Sequence, residues 1–209
     1  MNEFRSDPST AQGRYPADPQ QLLARAQAIE ALLKERGALG DDTVARIVAK
    51  YESEIGPLHG ARVVARAWVD PAFRQRLLAD ASAACQELGV GGLQGERMVA
   101  LADEDDVHHV IVCTLCSCYP WPVLGLPPGW YKSPQHRSRV VAEPRAVLAE
   151  FGLTLPDTTE IRVMDSTAEV RYFVLPLRPA GTEDLDEKAL AALVTRDCLI
   201  GVALPRGPR

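Results

Sequence analysis

No stretch of this 209-residue sequence approaches the roughly eighteen consecutive apolar residues that a membrane-spanning helix needs. Residues 1–30 also lack the apolar segment of a signal peptide. A cytoplasmic protein without membrane contact is therefore expected. Basic residues (23 Lys and Arg) are outnumbered by acidic ones (28 Asp and Glu), and no basic run interleaves with aromatic residues, which argues against a nucleic-acid partner. Cysteine is scarce and odd in number, at five. That count does not suggest a disulfide framework, and in a reducing compartment closely set thiols point to metal or redox chemistry.

The 46% of hydrophobic residues can supply a sizeable core for one domain, or two. Residues 1–17 are polar, with Pro8, Gly13 and Pro16 and no periodicity to bury, and read as an extended arm. Asp18-Pro19 is an N-cap followed by proline, and Leu22, Leu23, Ala26, Ile29, Leu32 and Leu33 recur at helical spacing until Gly37. A second helix is expected from Asp41 or Asp42 to Gly56-Pro57, and a third over Leu58 to Trp68. A fourth starts at Asp70-Pro71 and ends near Gly89. The first ninety residues are thus expected to form a helical arm (1–90) whose apolar stripes suit packing against another subunit or, alternatively, against one another in a local bundle.

From Arg97 the pattern turns to β. Met98 to Leu101 and Val107 to Val112 are short strands on either side of the acidic turn Asp103-Glu104-Asp105-Asp106, which reads as a solvated hairpin connection. His108 and His109 read as strand residues, one on each face. Further helices are expected after Ser133-Pro134 and Glu143-Pro144 and over Asp186 to Leu193. Ile161 to Met164 and Val170 to Leu175 read as a strand pair around Asp165-Ser166-Thr167. The reading is an α+β fold with an α+β domain over 91–209.

Val112-Cys113-Thr114-Leu115-Cys116-Ser117-Cys118-Tyr119-Pro120 places three of the cysteines within six residues, directly after a strand. Thiolates at this spacing can converge on one soft metal ion such as zinc, copper(I), iron or cobalt. Structural zinc and iron–sulfur clusters usually take four protein ligands, and no fourth is evident nearby. The amides of Ser117 and Cys118 lie between two thiols, so a highly charged metal could take two nitrogens and two sulfurs in a plane. Cys113 would then be axial, with an open position opposite. Trp121, three residues beyond Cys118, could wall a substrate pocket.

The run from Val112 through Trp121-Pro122-Val123-Leu124-Gly125-Leu126-Pro127-Pro128 closely resembles the metal-binding segment of the nitrile hydratase α subunit. The resemblance extends from about Val63 to Val202, through Ala67-Trp68-Val69-Asp70-Pro71, Gln94-Gly95-Glu96 and Ala168-Glu169-Val170-Arg171-Tyr172. It implies a helical N-terminal arm embracing a β subunit, followed by a layered α-β-β-α domain. Thr114 and Tyr119 imply cobalt(III), one per chain, rather than iron(III), held by Cys113, Cys116, Cys118 and the Ser117 and Cys118 amides. The implied chemistry is metal-assisted hydration of a nitrile to an amide. Cys116 is implied to become a sulfinic acid and Cys118 a sulfenic acid, while Cys113 stays a thiolate. Ser117 and Cys118 are implied at the reaction site, and Gln94, Glu169 and Arg171 match positions lining the metal pocket. The implied partners are a β subunit, in an αβ or α2β2 assembly, a metallochaperone or activator, and a small nitrile. Two alternatives stand beside this reading: the metal-bearing subunit of a thiocyanate hydrolase, and a non-catalytic zinc-binding interaction module.

Overall fold

The computed structural model describes residues 19–53, 57–91, 97–116 and 118–207. The expected arm over residues 1–17 lies outside them. The helices are α1 (Pro19–Glu35), α2 (Thr43–Ser53), α3 (Pro57–Val69), α4 (Pro71–Ala79), α5 (Ala81–Glu87), α6 (Trp121–Leu124), α7 (Pro134–Ala142), α8 (Pro144–Glu150), α9 (Glu187–Ala191) and α10 (Arg196–Ile200). Four strands accompany them: β1 (Arg97–Ala102), β2 (Val107–Val112), β3 (Glu160–Asp165) and β4 (Val170–Leu175). No described helix is long and apolar enough to cross a membrane.

The chain divides into two compact units at Val48/Ala49. In the first, α1 ends where Gly37 takes φ +67 and the Ala38 amide donates to the Leu33 carbonyl at 2.9 Å. Leu22, Leu23, Ile29 and Leu32 of this helix are all exposed.

In the second unit α3 enters the core, with Val63, Val64 and Ala65 fully enclosed. Gly60 lets it approach α6, because a side chain there would run into the Val123 carbonyl and lie 2.6 Å from Leu199 Cδ1. The Asp70-Pro71 start signal operates as expected, Asp70 accepting the Phe73 amide at 2.9 Å. The helix it opens does not reach Gly89 unbroken. Asp80 adopts an extended conformation, closes α4, and accepts the Ala83 amide to open α5. A capping aspartate inside an apolar pattern competes with the helix backbone for hydrogen bonds, and here it wins.

The strands fall where expected but pair differently. β1 lies parallel to β4, from Arg97 opposite Val170 to Ala102 opposite Leu175, and β2 lies parallel to β3, from Val107 opposite Glu160 to Val112 opposite Asp165. The two supposed hairpins are thus exchanged for crossed parallel pairs, and an isolated antiparallel bridge between Glu104 and Val107 closes the turn after β1. All six residues of β2 are buried, as befits a parallel strand covered on both faces. The acidic turn is not wholly solvated either. Asp103 is 5% exposed and accepts the His109 amide at 2.8 Å.

Candidate metal centre

β2 and β3 together deliver the cysteine loop. At their shared end the Ser166 amide donates to the Val112 carbonyl at 2.7 Å, and the next residue is Cys113. Asp165 then reaches across. Its Oδ1 accepts the Thr114 amide at 2.9 Å and its Oδ2 accepts the Thr114 hydroxyl at 2.5 Å. Thr114 is thereby held at both main chain and side chain, and the loop cannot straighten into a continuation of β2.

The turn folds the three thiols onto one another. Cys116 Sγ lies 3.3 Å from Cys113 Sγ and 2.8 Å from Cys118 Sγ, and all three sulfurs fall within 4.8 Å of each other. Cys113 and Cys118 are buried and Cys116 is exposed, so the cluster opens on one side. The Cys116 amide also donates to Cys113 Sγ at 3.3 Å. Behind the loop, the buried Tyr131 hydroxyl donates to the Cys118 carbonyl at 3.0 Å, and the Tyr131 ring meets Tyr119 edge-on at 4.9 Å between centroids.

Electrostatics favour a cation among these sulfurs. The Cys118 thiol is pushed up to about 12, by burial first, then by its hydrogen bond to Cys116 and the nearby Cys113, while Arg171 pulls the other way. Three converging sulfurs, one of them a thiol that resists ionisation, make a good soft-metal trap, because a bound ion displaces thiol protons. The other two thiols are buried elsewhere: Cys85 is pushed up to about 12 by burial, and Cys198 is 3.2 Å from the Thr195 hydroxyl.

The remaining expected site residues are distributed unevenly. Ser117 and Gln94 lie outside the described residues. Arg171 is near enough to act on the Cys118 thiol, and its Nε and Nη1 are buried without a hydrogen-bond partner among the described residues. Glu169 is exposed just before β4, where its carboxylate accepts the Thr167 hydroxyl at 3.1 Å. It makes no described bond to Arg171. Trp121 opens α6 and is half-buried against the core.

A family model described as nitrile hydratase, alpha chain, matches residues 20–203. The chain belongs to the nitrile hydratase α-chain family. It is 57% identical over 197 residues to the low-molecular weight cobalt-containing nitrile hydratase subunit alpha of Rhodococcus rhodochrous, covering 94% of this chain and 95% of the relative. It is 46% identical over 172 residues to thiocyanate hydrolase subunit gamma of Thiobacillus thioparus, covering 77% and 71%. Among solved structures, a histidine double mutant of the Fe-type nitrile hydratase from Comamonas testosteroni Ni1 superposes with a TM-score of 0.86 at 42% identity, covering 92% of this chain and 94% of that one.

In this nitrile hydratase α chain, two supports of the cysteine loop escaped sequence reasoning. Asp165 read as a turn residue between paired strands, although an aspartate ending a strand could have signalled a clamp. Tyr131 gave no signal beyond its aromatic ring. Asp165→Ala removes both bonds to Thr114 and is expected to weaken metal retention by about tenfold to a hundredfold. Competition with a chelator, followed by metal analysis, measures this directly.

Proposed function

We propose that this chain is the metal-bearing subunit of a cobalt nitrile hydratase, active only with a β subunit in an αβ or α2β2 assembly and converting a small nitrile and water to an amide. The observation that carries the reading is the convergence of the Cys113, Cys116 and Cys118 sulfurs. One cobalt(III) ion fits this set, held by the three sulfurs with the Ser117 and Cys118 amide nitrogens. The ion supplies Lewis acidity toward a nitrile or a water molecule.

The chain's own residues prepare that chemistry. Tyr131 fixes the Cys118 carbonyl and so limits rotation of the peptide that carries the sulfur. Asp165 holds the start of the loop. Oxidation of Cys116 to a sulfinic and of Cys118 to a sulfenic acid adds anionic oxygens, and the unpartnered guanidinium nitrogens of Arg171 offer one positive charge beside Cys118. In this reading Trp121 walls the substrate pocket, and Glu169, Gln94 and Ser117 are assigned to the same site by their match to the family's motif.

We infer the α-β-β-α layering from the contact of β2 with β4 between the two parallel pairs; the fully buried β2 and the buried Phe173 and Val174 support it. The helical arm meets the β subunit, a role supported by the exposed Leu22, Leu23, Ile29 and Leu32. A metallochaperone or activator loads the ion. Thiocyanate hydration is the second reading, favoured by the thiocyanate hydrolase relative.

Co-expression with a nitrile hydratase β-subunit gene in cobalt-containing medium tests the proposal. The expected preparation is a heteromer with one cobalt per α chain that forms amide from a simple nitrile faster than it consumes thiocyanate. Stoichiometric zinc or iron, or a fully active monomer by light scattering, overturns it.

A further inference from the structure

Asp103, His108 and His109 form a buried polar cluster that the metal chemistry does not use. Asp103 Oδ2 lies 3.2 Å from His108 Nδ1, and Oδ1 lies 3.2 Å from His109 Nδ1 while accepting the His109 amide at 2.8 Å. On the other side of its ring, His108 Nε2 lies 2.8 Å from the Gly201 carbonyl oxygen. A carbonyl oxygen can only accept, so His108 Nε2 carries a proton. A neutral imidazole has a single N–H. Used on Gly201, it would leave a bare Nδ1 lone pair against a carboxylate oxygen. Moving a proton to Asp103 is disfavoured, because its Oδ1 already takes two N–H groups from His109, the arrangement an ionised carboxylate prefers.

We propose that Asp103 and His108 form a buried ion pair, carboxylate on imidazolium, that locks β2, the strand delivering Cys113, to the carboxyl-terminal cap of α10 at Gly201. The lock has two parts. His108 donates to the Gly201 carbonyl, and Gly201, at φ +89, has its α-carbon pressed against the His109 carbonyl where no side chain fits. Four residues beyond His109 the strand hands over to Cys113. Asp103 and His108 are thus positioning residues that act on the cysteine loop through β2.

The surroundings suit a cation at His108. With Asp103, Glu104, Asp105 and Arg178 it lines a cavity of about 300 Å³, three carboxylates against one guanidinium. On β3, Glu160 and Arg162 pair with each other beside β2, with Arg162 opposite His109. From α10 comes the Gly201 carbonyl, while Arg196 and Asp197 stand at the opposite end of that helix. Burial pulls the His108 imidazolium down, but the hydrogen bond and charge of Asp103, with the Gly201 carbonyl, outweigh it and leave His108 above the ordinary histidine value. Asp103 is pushed up by burial and pulled further down by His108 and His109, ending below the ordinary carboxylate value. A raised histidine contributes its stability in full below the unfolded value and loses it as pH rises through the folded one. A lowered carboxylate contributes above its unfolded value and loses it as pH falls through the folded one. The lock is therefore closed below the raised His108 value and opens as pH climbs through it.

Two measurements on the full chain, purified with its partner subunit, test this. Neutron diffraction of the unmutated complex near neutral pH is expected to place deuterium on both ring nitrogens of His108, and deuterium on only one overturns the proposal. Hydrogen exchange of the β2 amides is then compared between His108→Gln and the unmutated chain. The variant should exchange roughly tenfold faster near neutrality, the worth of one charge-assisted bond, and the ratio should fall toward one at alkaline pH where the unmutated chain has lost its proton. An equal ratio at both pH values means that His108 is packed rather than charged, and it sinks the idea. If His108→Gln does not fold, the neutron result alone decides.

Discussion

Cys118→Ser, purified with the β subunit after growth in cobalt, is expected to keep part of its metal and to lose nitrile hydration down to background. Serine preserves the side-chain size and the amide nitrogen, so Cys113, Cys116 and the main chain remain as donors. The sulfur itself cannot be replaced, because only sulfur supports the sulfenic oxidation level. Cys118 is also the thiol acted on by the Arg171 charge, and its main-chain carbonyl is held by Tyr131, so both its sulfur and its backbone have a protein partner. The check is a pair of numbers from one preparation, cobalt per chain and turnover of a simple nitrile. Metal-loaded Cys118→Ser with near-normal turnover makes the sulfur a structural ligand and nothing more.

Gly201→Ala carries the largest expected effect on stability. The residue sits at φ +89, a conformation that costs a side-chain-bearing residue about 1–3 kcal/mol. The added methyl also runs into the His109 carbonyl and approaches Val110 Cα at 3.0 Å, both backbone groups of a fully buried strand that cannot move aside cheaply. Overpacking of this kind costs about 1–3 kcal/mol more. Together the terms predict a fall in melting temperature of roughly 10 °C for a domain of this size. Differential scanning calorimetry of the complex measures it. A fall of only a degree or two would mean that α10 shifts freely against β2, which the His108–Gly201 contact argues against.

Local signals in the sequence were legible wherever a short-range rule decided the structure. Asp70-Pro71 and Ser133-Pro134 start helices through side-chain caps that act within three residues, and both do so as read. The cysteine spacing was legible for the same reason: three thiols in six residues need only one turn to meet. Decisions taken over long range were not. Nothing local distinguishes a strand that folds back on its neighbour from one that waits for a partner more than fifty residues later, so β1 and β2 looked like a hairpin and are not. The apolar run Val110-Ile111-Val112, with no polar residue alternating through it, was the available clue. Asp103 was misread because an acidic cluster is ordinarily solvated, and its burial depends on His108, His109 and Gly201 arriving together. Past Leu193 the chain forms α10, a helix that carried no start signal beyond Thr195, whose hydroxyl accepts the Cys198 amide at 3.4 Å.

The crossed parallel pairing of β1 with β4 and of β2 with β3 imposes an order of events on synthesis. A ribosome that has released the cysteine loop has not yet made Asp165, the residue that clamps Thr114, nor β3, on which β2 must lean. During that interval three thiols are exposed on an unanchored segment to oxygen and to whatever metal is at hand. Contacts between distant parts of a chain also form slowly. An anchored cysteine loop is therefore a late product of synthesis, formed only after the chain has grown beyond β3, and a truncated product ending before Asp165 should carry the motif intact and yet fail to discriminate between metals.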